Sequence, residues 1–178
     1  IKDVDAIIIS DYAKGVVTEV FMSKLKEIAN DTIIVVDPKP AHTGFYKDVT
    51  LVAPNLKEAH AMVRKQGEHD VHTIGEELMG QIKSNVLITA GEKGMVLFEK
   101  DGKVTEIPTK AKEVYDVSGA GDTVVATLTL ALAAGAGMSE AALLANHAAG
   151  IVVGKVGTST LSLEELKEDI ENEYKEQD

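Results

Sequence analysis

The sequence predicts an α/β fold with three layers, a mainly parallel sheet between helices, and a small antiparallel edge. Three observations predict it. Short runs rich in Ile and Val alternate with helical patterns through the first half. An Asp-Gly dipeptide then joins two further apolar runs, and the last third is helical throughout. Alternation of strand and helix implies right-handed crossovers and a sheet buried on both faces.

The strands read as Ala6 to Ile9, Thr32 to Val36, Leu51 to Ala53 and Val86 to Thr89, each apolar and bounded by polar turns, as buried parallel strands are. Between them, Val20, Phe21, Leu25 and Ile28 recur at helical spacing within Thr18 to Ala29. Helical patterns follow over Asn55 to Arg64 and roughly Thr73 to Ile82. Past Thr89, Met95 to Phe98 and Val104 to Ile107 flank Asp101-Gly102, which predicts a hairpin closing one edge. Helices are then expected over Thr123 to Ala134, Ser139 to Val153 and Leu163 to Tyr174. Ser162 and Glu165 have capping-box spacing for the last of these. No repeat, Pro-rich linker or low-complexity block divides residues 1–178, so a single domain is expected. Its acidic helix and tail, about 162–178, read as a solvated face.

Composition narrows the function. The chain has 178 residues, 44% of them hydrophobic, enough for one core and against disorder. A formal charge of −11 with Arg64 as the only arginine argues against holding nucleic acid by its phosphates. The absence of cysteine removes disulfides, thiolate zinc sites and a cysteine nucleophile, and fits a reducing cytoplasm. The nearly apolar stretch Val124 to Met138 is shorter than the ~20 residues that cross a bilayer, so no membrane role is expected. The chain opens at Ile1 within a hydrophobic pattern, with no methionine or signal peptide, which suggests that residues before it are missing. The histidines His42, His60, His69, His72 and His147 show no zinc spacing, and neither a G-x-x-x-x-G-K-[ST] loop nor a G-x-G-x-x-G turn occurs.

Chemistry concentrates in Asp116-Val117-Ser118-Gly119-Ala120-Gly121-Asp122, directly before an apolar helix. Small residues at a helix start leave backbone N–H groups open to an anion, with the positive end of the helix dipole behind them. Asp122 beside such a turn has the chemistry to accept the proton of an attacking hydroxyl in phosphoryl transfer. The plainer reading is an acid favoured at a helix start. Two further motifs lie upstream: Asn55-Leu56-Lys57-Glu58, which a capping box alone would explain, and Thr89-Ala90-Gly91-Glu92-Lys93-Gly94, which a tight turn would explain. Asp11, Lys14, Asp37 and Lys39 fall at the carboxyl ends of expected strands, where open α/β sheets gather ligands. There Lys14 or Lys39 would hold a phosphate, unless the four merely pair at the surface.

These motifs, in this order, resemble the ribokinase-like (PfkB) family of sugar kinases. So do Ala145-Asn146-His147-Ala148-Ala149-Gly150 and Gly154-Lys155-Val156-Gly157-Thr158. Within the family the chain is most similar to the kinase half of the bacterial heptose-phosphate enzymes that make ADP-heptose for lipopolysaccharide. That similarity rests on Ser10-Asp11-Tyr12-Ala13-Lys14-Gly15, Val36-Asp37-Pro38-Lys39, Ala53-Pro54-Asn55-Leu56 and Glu113-Val114-Tyr115. Such enzymes usually have Gly at the position of Ala13. The resemblance implies a ribokinase-like fold lacking its N-terminal part and lid, and ATP-dependent phosphorylation of D-glycero-D-manno-heptose 7-phosphate to the 1,7-bisphosphate. It implies Asp122 as base, with Gly119, Ala120 and Gly121 as the anion hole. Thr89, Gly91, Gly94, Asn146, Gly157 and Asn55 would hold ATP, and Glu58 would organise Mg2+ through water. A monovalent cation near Asp116 and Thr158 occurs in some relatives. Two alternatives stand beside this: a non-catalytic nucleotide-binding fragment that needs the missing segment, and a ribokinase or fructokinase relative with another sugar. An exposed sheet edge would invite a homodimer.

Overall fold

The computed structural model describes residues 3–29, 31–63, 69–111 and 114–176. Ile1, Arg64, Glu113 and Asp178, which figure in the expectations from sequence, lie outside the described residues. In chain order the elements are β1 (Ala6–Ser10), α1 (Glu19–Ala29), β2 (Ile33–Asp37), a 3-10 segment (Pro40–Tyr46), β3 (Leu51–Val52), α2 (Leu56–Val63) and α3 (Val71–Ile82). They continue with β4 (Asn85–Thr89), a short 3-10 turn (Gly91–Lys93), β5 (Met95–Phe98), β6 (Val104–Ile107), α4 (Ala120–Ala133), α5 (Met138–Val153) and α6 (Leu163–Glu176).

The six strands lie side by side in sequence order. β1 to β4 are parallel, and β4, β5 and β6 pair antiparallel. Every strand of the centre is apolar on both sides, and the period of two sorts its residues between two cores. Ile34, Val36, Val86, Ile88, Val96 and Phe98 face α1, α2 and α3, where Met22, Leu25, Met62, Ile74 and Leu78 cover them. Val35, Leu51, Leu87, Met95 and Leu97 face α4 and α5, where Val124, Val125, Leu128 and Ala145 cover them. Helices therefore cover both faces, as the continuous Ile and Val runs require.

Most helix starts carry the caps that the sequence suggests. Thr18 Oγ1 accepts the Phe21 N–H at 3.1 Å, Asn55 Oδ1 the Glu58 N–H at 2.9 Å, and Ser162 Oγ the Glu165 N–H at 3.2 Å. α3 begins at Val71, earlier than expected, because Asp70 caps it, its Oδ1 accepting from the His72 and Thr73 N–H groups at 3.0 Å each. α4 begins at Ala120 rather than Thr123, so the Gly-Ala-Gly-Asp turn is itself the first turn of the helix. The 3-10 segment at Pro40–Tyr46 was unforeseen, since seven residues around one proline and one glycine carry no helical period.

Gly75 sits inside α3 because Phe98 of β5 leaves no room: a Cβ there would lie 2.1 Å from the ring. Alanine would gain about 1 kcal/mol of helix propensity over glycine, but overpacking a rigid core costs about 1–3 kcal/mol. Gly75→Ala is therefore expected to lower stability in urea denaturation, against the sign of its propensity.

Candidate functional site

Four parallel strands send their carboxyl ends to one side of the sheet, and the loops after β1, β2, β4 and β6 meet there. A cavity of about 530 Å³ opens beside α4 and α5. The turn after β4 forms one wall, through Thr89, Gly91 and Gly94; Ala120 and Gly121 of α4 form a second, and Asn146 of α5 a third. Segments far apart in sequence thus meet around one space.

The turn after β4 needs its glycines. Gly91 has φ +58° and Gly94 +82°, and a Cβ on Gly94 would lie 2.1 Å from the Ile107 carbonyl oxygen. Asn146 is 2% exposed, and its Nδ2 donates to the Pro108 carbonyl at 2.7 Å, drawing the segment after β6 against α5.

α4 differs from α1, α2, α3 and α6 at its start. Its N-cap is Gly119, in the left-handed region at φ +82°, and no side chain accepts from its first turn. The Ala120 N–H donates to the Val117 carbonyl at 3.2 Å, while the following N–H groups of the first turn have no intrahelical partners, so this start brings backbone donors and a positive dipole end to the cavity. Asp122 stands exposed in that first turn. Gly157, at φ +75°, lies outside the cavity, and its N–H joins those of Ser118 on the Asp116 carboxylate. Hydrogen bonds from the Ser118 backbone and side chain, with that of Gly157, hold Asp116 below its ordinary value. Thr158 Cγ2 would lie 3.2 Å from a Cβ on Gly119, so the 157–158 loop closes over the turn from outside.

Charged groups gather at the ends of β1 and β2. Burial raises Asp37 above the ordinary carboxylate range; Lys39 opposes this, and the Glu58 and Asp122 carboxylates add to it. Glu58 is doubly engaged, pairing with Lys39 at 2.6 Å and accepting the Asn55 N–H at 3.1 Å. Asn55 and Glu58 thus form the capping box, while Asn55 also bridges to Thr89 and ties the start of α2 to the end of β4. Lys39 is raised chiefly by its hydrogen bond to Glu58. Lys14 is exposed in the loop after β1, and no partner of its side chain is seen among the described residues.

Asp11 faces inward. It is 1% exposed; Oδ2 accepts from the Tyr46 hydroxyl at 2.6 Å and contacts His42 Nδ1 at 2.7 Å, and Oδ1 accepts the Ala13 N–H at 2.7 Å. Burial alone would raise this carboxyl, but the hydrogen bonds from Tyr46, Ala13 and His42 outweigh it and hold it below its ordinary value. The bond from the Ala13 N–H holds that residue at φ +52°, a left-handed conformation that costs an alanine about 1–2 kcal/mol and a glycine nothing. His42 and Tyr46 were not singled out from the sequence, because they sit on the unforeseen 3-10 segment. The proline after Lys39 was the available signal for a turn there.

A cavity walled by a glycine-rich turn, a glycine-capped helix start and a buried asparagine thus lies next to a cluster of carboxylates on an α/β sheet. Residues 1–166 match the model of the pfkB family carbohydrate kinases, and the chain belongs to that family. It is 48% identical over 167 residues to the bifunctional protein HldE of Geobacter metallireducens, covering 91% of this chain and 34% of that protein. Identity to the HldE protein of Vibrio vulnificus is 45% over 171 residues, or 94% and 36% of the two. The chain thus spans about a third of the length of these curated relatives. In fold it matches the ribokinase of Thermotoga maritima, with a TM-score of 0.80 at 24% identity over 94% of this chain and 57% of that one. It also matches an Arabidopsis thaliana ribokinase complexed with ribose and ATP, with a TM-score of 0.79 at 19% identity over 93% and 55%.

Tyr46→Phe isolates the Asp11 hub. A depressed carboxyl contributes stability above its unfolded value, near 3.8, and loses it as pH falls through the lower folded value. Removing the hydroxyl lifts the folded value, so the acid-unfolding midpoint should move to higher pH, with a loss of about 1–3 kcal/mol in urea at neutral pH.

Proposed function

We propose that this chain is the nucleotide-binding and catalytic portion of an ATP-dependent sugar kinase acting on D-glycero-D-manno-heptose 7-phosphate at its anomeric hydroxyl. The single observation that carries the reading is the start of α4: a glycine N-cap with no side-chain acceptor, opening on the cavity with Asp122 in the same turn. The heptose substrate rests on the likeness to the HldE proteins and on the motifs at Ser10 to Gly15 and Val36 to Lys39, and the use of ATP on the family. Residues 1–178 read as one domain on the same grounds.

The roles follow from chemistry. The base and ribose of ATP would lie along the wall from Thr89 to Gly94 and against Asn146, with the phosphates turned to the α4 start. N–H groups of Gly119 and Gly121, with that of Ala120 once it leaves the Val117 carbonyl, would take up negative charge on the transferred phosphoryl oxygens. Asp122 would accept the proton of the sugar hydroxyl as its oxygen bonds to the γ-phosphorus and ADP departs. Lys39 and Lys14 supply positive charge for a sugar phosphate, while Asp11 shapes their loop through Ala13. Asn55 and Gly157 hold their turns in place around the nucleotide.

Among the described residues no three carboxylate or histidine side chains gather to hold a metal ion by themselves, so Mg2+ would be held largely through water and the ATP phosphates. Glu58 and Asp122 both push Asp37 upward, so the cluster carries negative charge that a cation would relieve. Magnesium keeps several waters and takes one or two carboxylates besides the substrate phosphates. Bound there, Mg2+ would neutralise phosphate charge, with Glu58 acting through water. Glu58 Oε1 and Oε2 already serve Lys39 and Asn55, which suits a water-mediated role better than direct ligation. Asp116 presents its carboxylate to the N–H groups of residues 118 and 157, which supports an anion-stabilised loop more than a monovalent cation site.

Asp122→Asn tests the base directly. Turnover in the full-length protein should fall by at least about 100-fold, with ATP affinity changed only a few fold. Substantial residual turnover would remove Asp122 from that role.

A further inference from the structure

The last helix, α6, is polar and buries none of its described side chains fully, yet it is fastened to α5 and to the segment after β6 by a stripe of acids. Glu165, Asp169 and Glu173 recur at every fourth position and so lie on one face. Glu165 pairs with Lys155 at 2.6 Å, and Lys155 also donates to the Thr160 carbonyl at 2.8 Å. Asp169 meets Nδ1 of His147 at 2.7 Å, and Glu173 meets Nε2 of the same ring at 3.2 Å. Glu173 also pairs with Lys110. His147 is 4% exposed, so this contact is interior to the helix pair. The Nδ1 contact with Asp169 is a hydrogen bond, and the Nε2 contact with Glu173 is an ion-pair distance.

Each anchor adjoins a cavity wall. His147 follows Asn146, whose amide holds the Pro108 carbonyl. Lys110 lies between Thr109 and Ala111, both of which line the cavity. The backbone at Lys110 presses on α5 so closely that a Cβ on Gly150 would lie 3.0 Å from its carbonyl carbon. Segment 108–111 is thus held on one side by Asn146 and Gly150 and on the other by Glu173.

We propose that Glu173, with His147 and Lys110, forms an electrostatic clasp through which α6 positions segment 108–111 as a wall of the nucleotide pocket. These are positioning residues: none touches the cavity through its own charged group, and each acts through Thr109, Ala111 or Asn146. The inference rests on the reading of the cavity as a nucleotide site. Surface ion pairs alone contribute little; here a buried histidine joins two carboxylates, and loss of one partner leaves the others uncompensated.

Two measurements on the full-length protein test this. Glu173→Gln and Lys110→Met should weaken ATP binding by about five-fold or more, raising KM for ATP with kcat little changed, while Lys110→Arg should stay close to wild type. Because coupling is reciprocal, saturating ATP should slow amide hydrogen exchange in residues 163–176 of the unaltered protein, a readout that needs no variant to fold. ATP binding without slower exchange in α6, or with unchanged affinity in folded Glu173→Gln, overturns the clasp and leaves the kinase reading standing. Failure of the unaltered protein to bind ATP overturns both.

Discussion

Parallel pairing of β1 to β4 is the constraint on which the rest depends. Parallel strands require crossovers, and these put helices on the faces, so every central strand must be apolar on both sides. The same geometry sends four carboxyl ends to one side of the sheet. Polar residues excluded from both cores collect there: Asp11 after β1, Asp37 and Lys39 at β2, Asn55 and Thr89 at β3 and β4. The site is therefore a product of the sheet's direction as much as of any single motif.

The apolar pattern made the sheet legible. Thr32 to Val36 and Val86 to Thr89 read as strands because helical segments separate them, and Asp101-Gly102 specifies its hairpin, with Gly102 at φ +92°. The turns around the candidate site were legible where residue type and backbone demand coincide, as at Gly91, Gly94 and Gly119, all with positive φ. Pro40–Tyr46 was not legible, since a 3-10 turn has no period to read. With it went Tyr46 and His42, whose partners at Asp11 lie more than 30 residues away in sequence. The acidic stripe of α6 read as a solvated face, because nothing local reveals that His147 and Lys110 stand opposite it. Long-range polar contacts leave no periodic trace.

Helix starts in this fold differ in how their first turns are capped. At α2 the Asn55 and Glu58 side chains satisfy the first turn, and at α3 Asp70 does so, its carboxyl drawn down to about 2 chiefly by the Thr73 hydroxyl. At α4 and α5 the N-cap is a glycine instead; Glu140 accepts the Gly137 N–H at α5, while the α4 start lines the cavity. A glycine in place of a capping side chain forgoes only a few tenths of a kcal/mol, a small cost that an anion at the same place would offset. Gly121 lies in that turn, and a Cβ added to it would meet nothing within 4 Å, so the fold has room there that a bound phosphate would occupy.

That space makes Gly121 the cleanest probe of the central claim. The decisive measurement is calorimetric titration of Mg-ATP into the full-length protein and its Gly121→Val variant, with both shown to be folded. The account requires saturable binding by the unaltered protein and a large loss in the variant, whose side chain enters the phosphate space without disturbing the core. Equal binding by the two would contradict a phosphate site at the α4 start, and no binding by either would contradict the nucleotide pocket itself.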